Sequence, residues 1–166
     1  MGRREDNYYL PIEQKLRQLF SNKVADAYLE ITAEGFSNKL KSAIPANKDI
    51  IFSFLGSKGA RPDITGYFSK EHSKEFFVVE IKNEKLTLDD IYQLKKYADL
   101  FDAWFAFLVS TEEIPAEIKR LSKAAPFLLW RTSPFPYLML ARYAEKEDEF
   151  AEWFEKNPFQ QEIYWR

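Results

Sequence analysis

The chain of 166 residues contains no cysteine, one histidine, two methionines and five glycines. Without cysteine, disulfides, thiolate zinc sites and cysteine nucleophiles are excluded, and a reducing, cytoplasmic setting is the expectation. The single histidine, His72, cannot by itself build the multi-histidine sites of zinc hydrolases or histidine–metal nucleases, and it falls in a polar turn where surface residence is expected. No serine sits in a G-x-S-x-G turn, so a serine triad has neither its elbow nor a well-placed base. No apolar run reaches membrane-spanning length, and the opening residues MGRREDN lack the apolar core of a signal peptide. A soluble protein without a membrane partner is therefore expected. Internal repeats, low-complexity segments and a dinucleotide fingerprint are also missing.

What is present is apolar and aromatic. Hydrophobic residues make up 46% and aromatics 17%, enough for a packed interior rather than a disordered chain. The length fits one domain over 1–166, read as a core over about 24–130 and an aromatic-rich C-terminal extension over about 131–166. A net charge of −2 argues against a protein that coats nucleic acid. It leaves room for a local basic rim, for which Lys58, Arg61, Lys70, Lys74, Lys85, Lys95 and Lys96 are candidates.

The stretch from Arg61 to Tyr97 carries the chemistry. Phe76, Phe77, Val78, Val79 and Ile81 read as a buried strand, interrupted by Glu80 and closed by Lys82. Side chains alternate along a strand, so Glu80 and Lys82 share one face while Val79 and Ile81 share the other. Charges on a core strand are costly unless they pair, bind metal or line a cleft. Upstream, Arg61-Pro62-Asp63 leads into a second strand, Ile64 to Phe68, with Ser69–Glu75 as the turn between them. That hairpin brings Asp63, Glu80 and Lys82 toward one end of the sheet. Two hard oxygen ligands with open positions suit Mg²⁺ or Mn²⁺.

Pro62-Asp63, then Glu80-Ile81-Lys82 closing an apolar strand, then Gln93 and Tyr97 one helical turn apart, resembles the PD-(D/E)xK nuclease superfamily. The likeness is to its RecB-type and Holliday-junction-resolvase-like branches. It spans roughly Asp49 to Ser110 and implies a restriction-endonuclease-like α/β fold, a mixed central sheet flanked by α-helices. It further implies Asp63 and Glu80 as metal-binding carboxylates, assisted by the Ile81 backbone carbonyl, and Lys82 as the catalytic lysine. Gln93 and Tyr97 would be cleft-lining supports, and DNA would be the substrate. A glutamate from the leading helix is implied beside the metal. Glu13, Glu30 and Glu34 are the candidates, with Glu34 preferred because Glu13 lies far upstream and Glu30 faces away from the Leu29–Phe36 stripe. Two functions follow as expectations: a metal-dependent DNA nuclease, or a nuclease-like fold that no longer cleaves and binds nucleic acid or protein.

The remaining elements follow from periodicity. A helix is expected over Tyr8–Phe20, and a second from Asn22 to Ile44, bent at Gly35 and stopped by Pro45. Asp49–Leu55 reads as a strand, and Gly56–Gly59 as a flexible turn. A helix from about Thr87 to Phe101 starts with a capping box, Thr87 and Asp90. Asp102–Ser110 reads as a strand, Ile114–Ala125 as a helix, and Phe127–Trp130 and Tyr137–Tyr143 as strands around a Ser133–Pro136 turn. Glu145–Lys156 reads as an acidic helix burying Phe150, Trp153 and Phe154. The tail FQQEIYWR has three open roles: packing back on the domain, stacking on unpaired bases, or contacting a second copy in a homodimer.

Overall fold

A computed structural model describes residues 4–56, 60–130 and 138–166. A 3-10 turn (Glu5–Tyr8) runs into helix α1 (Tyr9–Ser21), whose Ile12, Leu16 and Phe20 recur one turn apart and are buried. Strand β1 (Ala27–Ile31) follows, then the short helix α2 (Asn38–Ala43), where Ser37 Oγ accepts the Leu40 N–H at 3.1 Å. A 3-10 segment (Ala46–Ser53) leads to β2 (Ile64–Lys70) and β3 (Ser73–Lys82). Helix α3 (Leu88–Phe101), β4 (Phe105–Ser110), α4 (Ala116–Ala124), β5 (Met139–Ala144) and β6 (Glu149–Trp153) complete the order, ahead of two C-terminal 3-10 turns.

The six strands lie in one sheet in chain order, β1 to β6. The first three are antiparallel, β3, β4 and β5 are parallel, and β6 returns antiparallel to β5. Each face carries its own core. One holds Tyr67, Val78, Leu108 and Leu140 of the strands against Leu40, α3 and Ile118 of α4. The other holds Phe77, Val79, Ile81, Phe107 and Ala141 against α1, Phe159 and Tyr164. Phe20 is the hub of this second face, stacked on Phe77 with ring centres 4.2 Å apart and edge-on to Phe159 at 5.2 Å. The tail therefore packs back on the domain. The described residues contain no helix long and apolar enough to cross a membrane.

Four expectations are overturned. The Asn22–Ile44 stretch is not one helix: Ala27–Ile31 is an edge strand, and Gly35 at φ 151° breaks the chain before α2. The four-residue spacing of Phe36, Leu40 and Ile44 hides a strand whose pairing with β2 decides its state. Asp49–Leu55 is not a strand: it falls in the 3-10 segment Ala46–Ser53 and the turn that follows it. Ile51 and Leu55 are buried while Ile50 and Phe54 are exposed, a helical spacing that a continuous apolar run conceals. Phe127–Trp130 is also not a strand, since Pro126–Leu128 forms a 3-10 turn. Glu145–Lys156 is not a helix either. A bulge in the β5–β6 ladder pairs Tyr143 with Phe150 but Arg142 with Glu152, and so brings Phe150 and Trp153 to one face three residues apart. That spacing imitates a helix. The strands β5 and β6, read from the sequence as part of an extension, continue the sheet. The Ser57–Gly59 and Ser133–Pro136 turns lie outside the described residues.

The β2–β3 pair is packed too closely for a side chain at Gly66. Its register partner Phe77 lies across the position a Cβ would take, and the Tyr28 carbonyl oxygen closes the other side. Gly66→Ala is expected to destabilise the fold by about 1–3 kcal/mol, the usual range for overpacking. An unchanged denaturant midpoint contradicts this packing.

Candidate active site

The β2–β3 ladder ends at the Ile64–Val79 pair, and the candidate site is built on the strand end that remains. Asp63 sits just before β2. Its N–H donates to the Val79 carbonyl at 3.0 Å, and its carbonyl accepts the Thr32 N–H at 2.8 Å, so the residue is tied to both neighbouring strands. Thr32, fully buried, adds a hydroxyl bond to the Pro62 carbonyl at 2.6 Å and lies 2.9 Å from the Thr65 hydroxyl. Arg61 anchors the approach, donating from Nε and Nη2 to the Ala33 carbonyl and from Nη1 to the Gly56 carbonyl at 2.7 Å. The side chain of Asp63 then does what the missing strand would have done: Oδ2 accepts the Ile81 N–H at 2.7 Å.

Strand alternation turns the Ile81 carbonyl toward the same open edge as its N–H. The Lys82 carbonyl faces β4 instead, where it accepts the Thr111 N–H at 3.1 Å. Glu80 and Lys82 project together on the α3 face, as their parity requires, with Val79 and Ile81 on the α1 face. Lys82 Nζ lies 3.6 Å from Glu80 Oε1 and 3.8 Å from Asp90 Oδ1. Asp90 works twice: its Oδ2 accepts the Thr87 N–H at 2.8 Å and closes the capping box that starts α3. The amine is thus fixed between the end of one strand and the start of the next helix.

The electrostatics are those of two acids crowded out of water. Glu80 is 4% exposed and Asp63 5% exposed. Burial, then the charge of Asp63, pushes Glu80 up to about 9, with Lys82 opposing. Burial also lifts Asp63 to about 6, although the Ile81 N–H and the Tyr9 hydroxyl pull it down. Burial alone would lower Lys82, but Glu80, Glu5, Asp90 and Asp63 together hold it above its ordinary value, so it stays an ammonium. Glu80 Oε2 is buried with no hydrogen-bond partner. An orphaned carboxylate oxygen beside a second buried carboxylate is a donor set that a hard divalent cation satisfies. Among the described residues no group of three or more His, Cys, Asp or Glu side chains is arranged to hold a metal. The residues that could hold such an ion are Asp63, Glu80 and, through its carbonyl, Ile81.

Both supporting residues of α3 reach this face. Tyr97 is fully buried, and Gln93 Nε2 donates to its hydroxyl at 2.8 Å. Burial and then the Glu80 charge raise the Tyr97 phenol well above its ordinary value, which places it within the field of the site. Glu34 is exposed in the turn after β1. Glu30 accepts the Ser37 N–H at 3.0 Å and the Tyr28 hydroxyl at 2.9 Å, bracing the turn into α2. Glu13 pairs with Arg17, which reaches the Leu29 carbonyl on edge strand β1 at 2.9 Å.

The acid that reaches the site is Glu5. Its carboxylate takes the Asn83 N–H beside Lys82, and burial raises its pKa. Tyr9 stands one turn on, its hydroxyl 3.4 Å from Glu5 Oε1 and hydrogen-bonded to Asp63. Burial, then Asp63, raises this phenol well above its ordinary value. The available signal was the i, i+4 spacing of Glu5 and Tyr9 at the mouth of the first helix. The basic candidates do not form one rim. Lys70 and Lys74 stand at the hairpin end of β2–β3, over Trp104 and Tyr67, about 20 Å along the strands from Asp63. Lys95 donates to the Phe127 carbonyl, and Lys58 lies outside the described residues.

Set against family models, curated proteins and solved structures, the chain matches none.

Proposed function

We propose that this protein is a Mg²⁺- or Mn²⁺-dependent deoxyribonuclease of the PD-(D/E)xK type. The observation that carries the reading is the meeting of Asp63, Glu80 and Lys82 at the open end of β3, with one buried carboxylate oxygen left unsatisfied. The order α1–β1–α2–β2–β3–α3–β4 on one mixed sheet is compatible with the restriction-endonuclease-like core that the resemblance implies, with α2 inserted ahead of β2. The strand that opens the sheet is Ala27–Ile31.

In this reading Asp63, Glu80 and the Ile81 carbonyl hold the ion. A divalent cation held there would polarise the scissile phosphate and lower the pKa of a coordinated water. Lys82 donates from its ammonium to the attacking water and offsets the charge that grows on the phosphate oxygens. Asp90 and Glu80 keep that amine charged and aimed. Tyr9 and Glu5 wall the site on the α1 side, while the Gln93–Tyr97 pair walls it on the α3 side. Because Glu80 takes up a proton so readily in the metal-free protein, loading releases protons and tightens as pH rises.

The test is incubation with supercoiled, linear, single-stranded and branched DNA in Mg²⁺, Mn²⁺ or chelator, beside Asp63→Asn. The reading requires cleavage that the chelator and the substitution both abolish. Binding without cleavage selects the non-cutting nuclease-like fold, and absence of both removes DNA as the partner.

A further inference from the structure

Arg142 lies on β5, one strand beyond the neighbour of the candidate catalytic strand. The parallel register aligns Lys82 with Ser110 and Ser110 with Arg142, so the three residues form one row across the ends of β3, β4 and β5. Their side chains share a face. Leu108 and Leu140, two residues before Ser110 and Arg142, belong to the core on the α3 side, the side that carries Glu80 and Lys82. At about 4.8 Å per strand, the Cα atoms of Lys82 and Arg142 are roughly 10 Å apart.

The state of this arginine is unusual. Its Nε is buried without a hydrogen-bond partner, while the residue as a whole keeps partial contact with solvent. Glu152 stands opposite it in the β5–β6 ladder and is the natural counter-ion. That carboxylate is instead engaged by Lys119, whose Nζ donates to Glu152 Oε1. A buried guanidinium nitrogen is normally satisfied, and leaving it unpaired carries a desolvation cost. Ser110, between the two cations, is occupied with the Glu84 carbonyl at 2.7 Å. The row therefore has a cation at each end.

We infer that Arg142 is a substrate-binding residue that grips a backbone phosphate of the DNA strand on the side of the scissile phosphate away from Asp63. This rests on the nuclease reading and adds a direction to it: the strand runs across the ends of β3, β4 and β5, not along them. Because Nε itself is buried, the two Nη groups of the planar guanidinium form the end that can face two phosphate oxygens, and Lys119 engages one oxygen of the competing Glu152. Arg142 would thus hold the backbone near the cut without touching the reacting atoms.

The experiment compares wild type with Arg142→Gln, Arg142→Lys and Lys74→Gln, the last removing a charge at the opposite end of the sheet. Cleavage kinetics are measured with Mg²⁺, and equilibrium binding is measured with chelator at several salt concentrations. For Arg142→Gln the expected result is a KM and Kd raised about tenfold, a kcat within about twofold, and a slope of log affinity against log salt lower by about 1. Arg142→Lys should keep the salt slope and recover part of the affinity. Lys74→Gln should change neither. If wild type cleaves and Arg142→Gln keeps its KM and salt slope, the inference is overturned while the nuclease reading stands. A drop in melting temperature with unchanged KM and slope also overturns it, since Arg142 would then be only structural. Equal losses in Lys74→Gln overturn it in favour of general charge. If wild type binds DNA without cutting and Arg142→Gln loses affinity and slope, the nuclease reading falls and the phosphate site survives. No binding by wild type removes both.

Discussion

Glu80→Gln is expected to raise the melting temperature of the metal-free protein while abolishing metal-dependent cleavage. Glu80 has a folded-state value of about 9 against an ordinary 4.5, raised by burial and then by Asp63. A carboxyl group whose pKa is raised by folding supports the folded state when protonated. Its contribution is complete below about 4.5 and is lost as pH climbs toward 9. Wild type should therefore lose stability relative to Glu80→Gln across that window, and the gap should be wider at pH 8.5 than at pH 5. Removing a poorly satisfied buried group is worth about 1–3 kcal/mol. In a chain of this length that amounts to roughly 3–8 °C. The amide keeps the shape and gives up the ligand charge, so Mg²⁺ should stabilise wild type and leave the variant nearly unmoved. Thermal melts in chelator and in Mg²⁺ at the two pH values test this. A variant that melts below wild type at pH 8.5 in chelator contradicts the account of Glu80.

Lys82→Met is expected to lower kcat by about 10²–10³, the range seen when one preorganised donor to a developing charge is removed. It is also expected to bind Mn²⁺ more tightly. Both effects come from one position. The ammonium lies 3.6 Å from Glu80 and 3.8 Å from Asp90, and its neighbours keep it protonated. Taking away that charge leaves Asp63 and Glu80 with less competition for a cation, while the attacking water loses its donor. Lys82→Arg keeps the charge but moves it onto a longer, planar fork in place of a compact ammonium, so recovery should be small. Slower cleavage joined to tighter metal binding separates a catalytic amine from a merely structural one. Retained kcat in Lys82→Met contradicts the role given to it.

The pairing of Glu80 with Lys82 was legible because both lie on a strand whose pattern has a single interpretation. Phe76 to Ile81 is buried on both faces, and parity alone puts Glu80 beside Lys82. The Thr87–Asp90 box likewise fixes the start of α3, and with it the turn that carries Gln93 and Tyr97. The edges of the sheet were harder to interpret, for local reasons. Ala27–Ile31 owes its strand state to pairing with β2, a contact distant in sequence. The β5–β6 bulge gives Phe150 and Trp153 a helical spacing inside a strand. Glu5 was overlooked because its effect depends on where the first turn of the chain docks, which no local pattern encodes. Arg142 has no motif at all. Only the alignment of three parallel strands reveals it.

The most direct measurement is anomalous diffraction from a crystal soaked in Mn²⁺. A single strong peak within about 2.0–2.6 Å of oxygens from Asp63, Glu80 and the Ile81 carbonyl is the result predicted. A soaked crystal with no peak there, and with the two carboxyl groups hydrogen-bonded to one another instead, would contradict the shared-ion site.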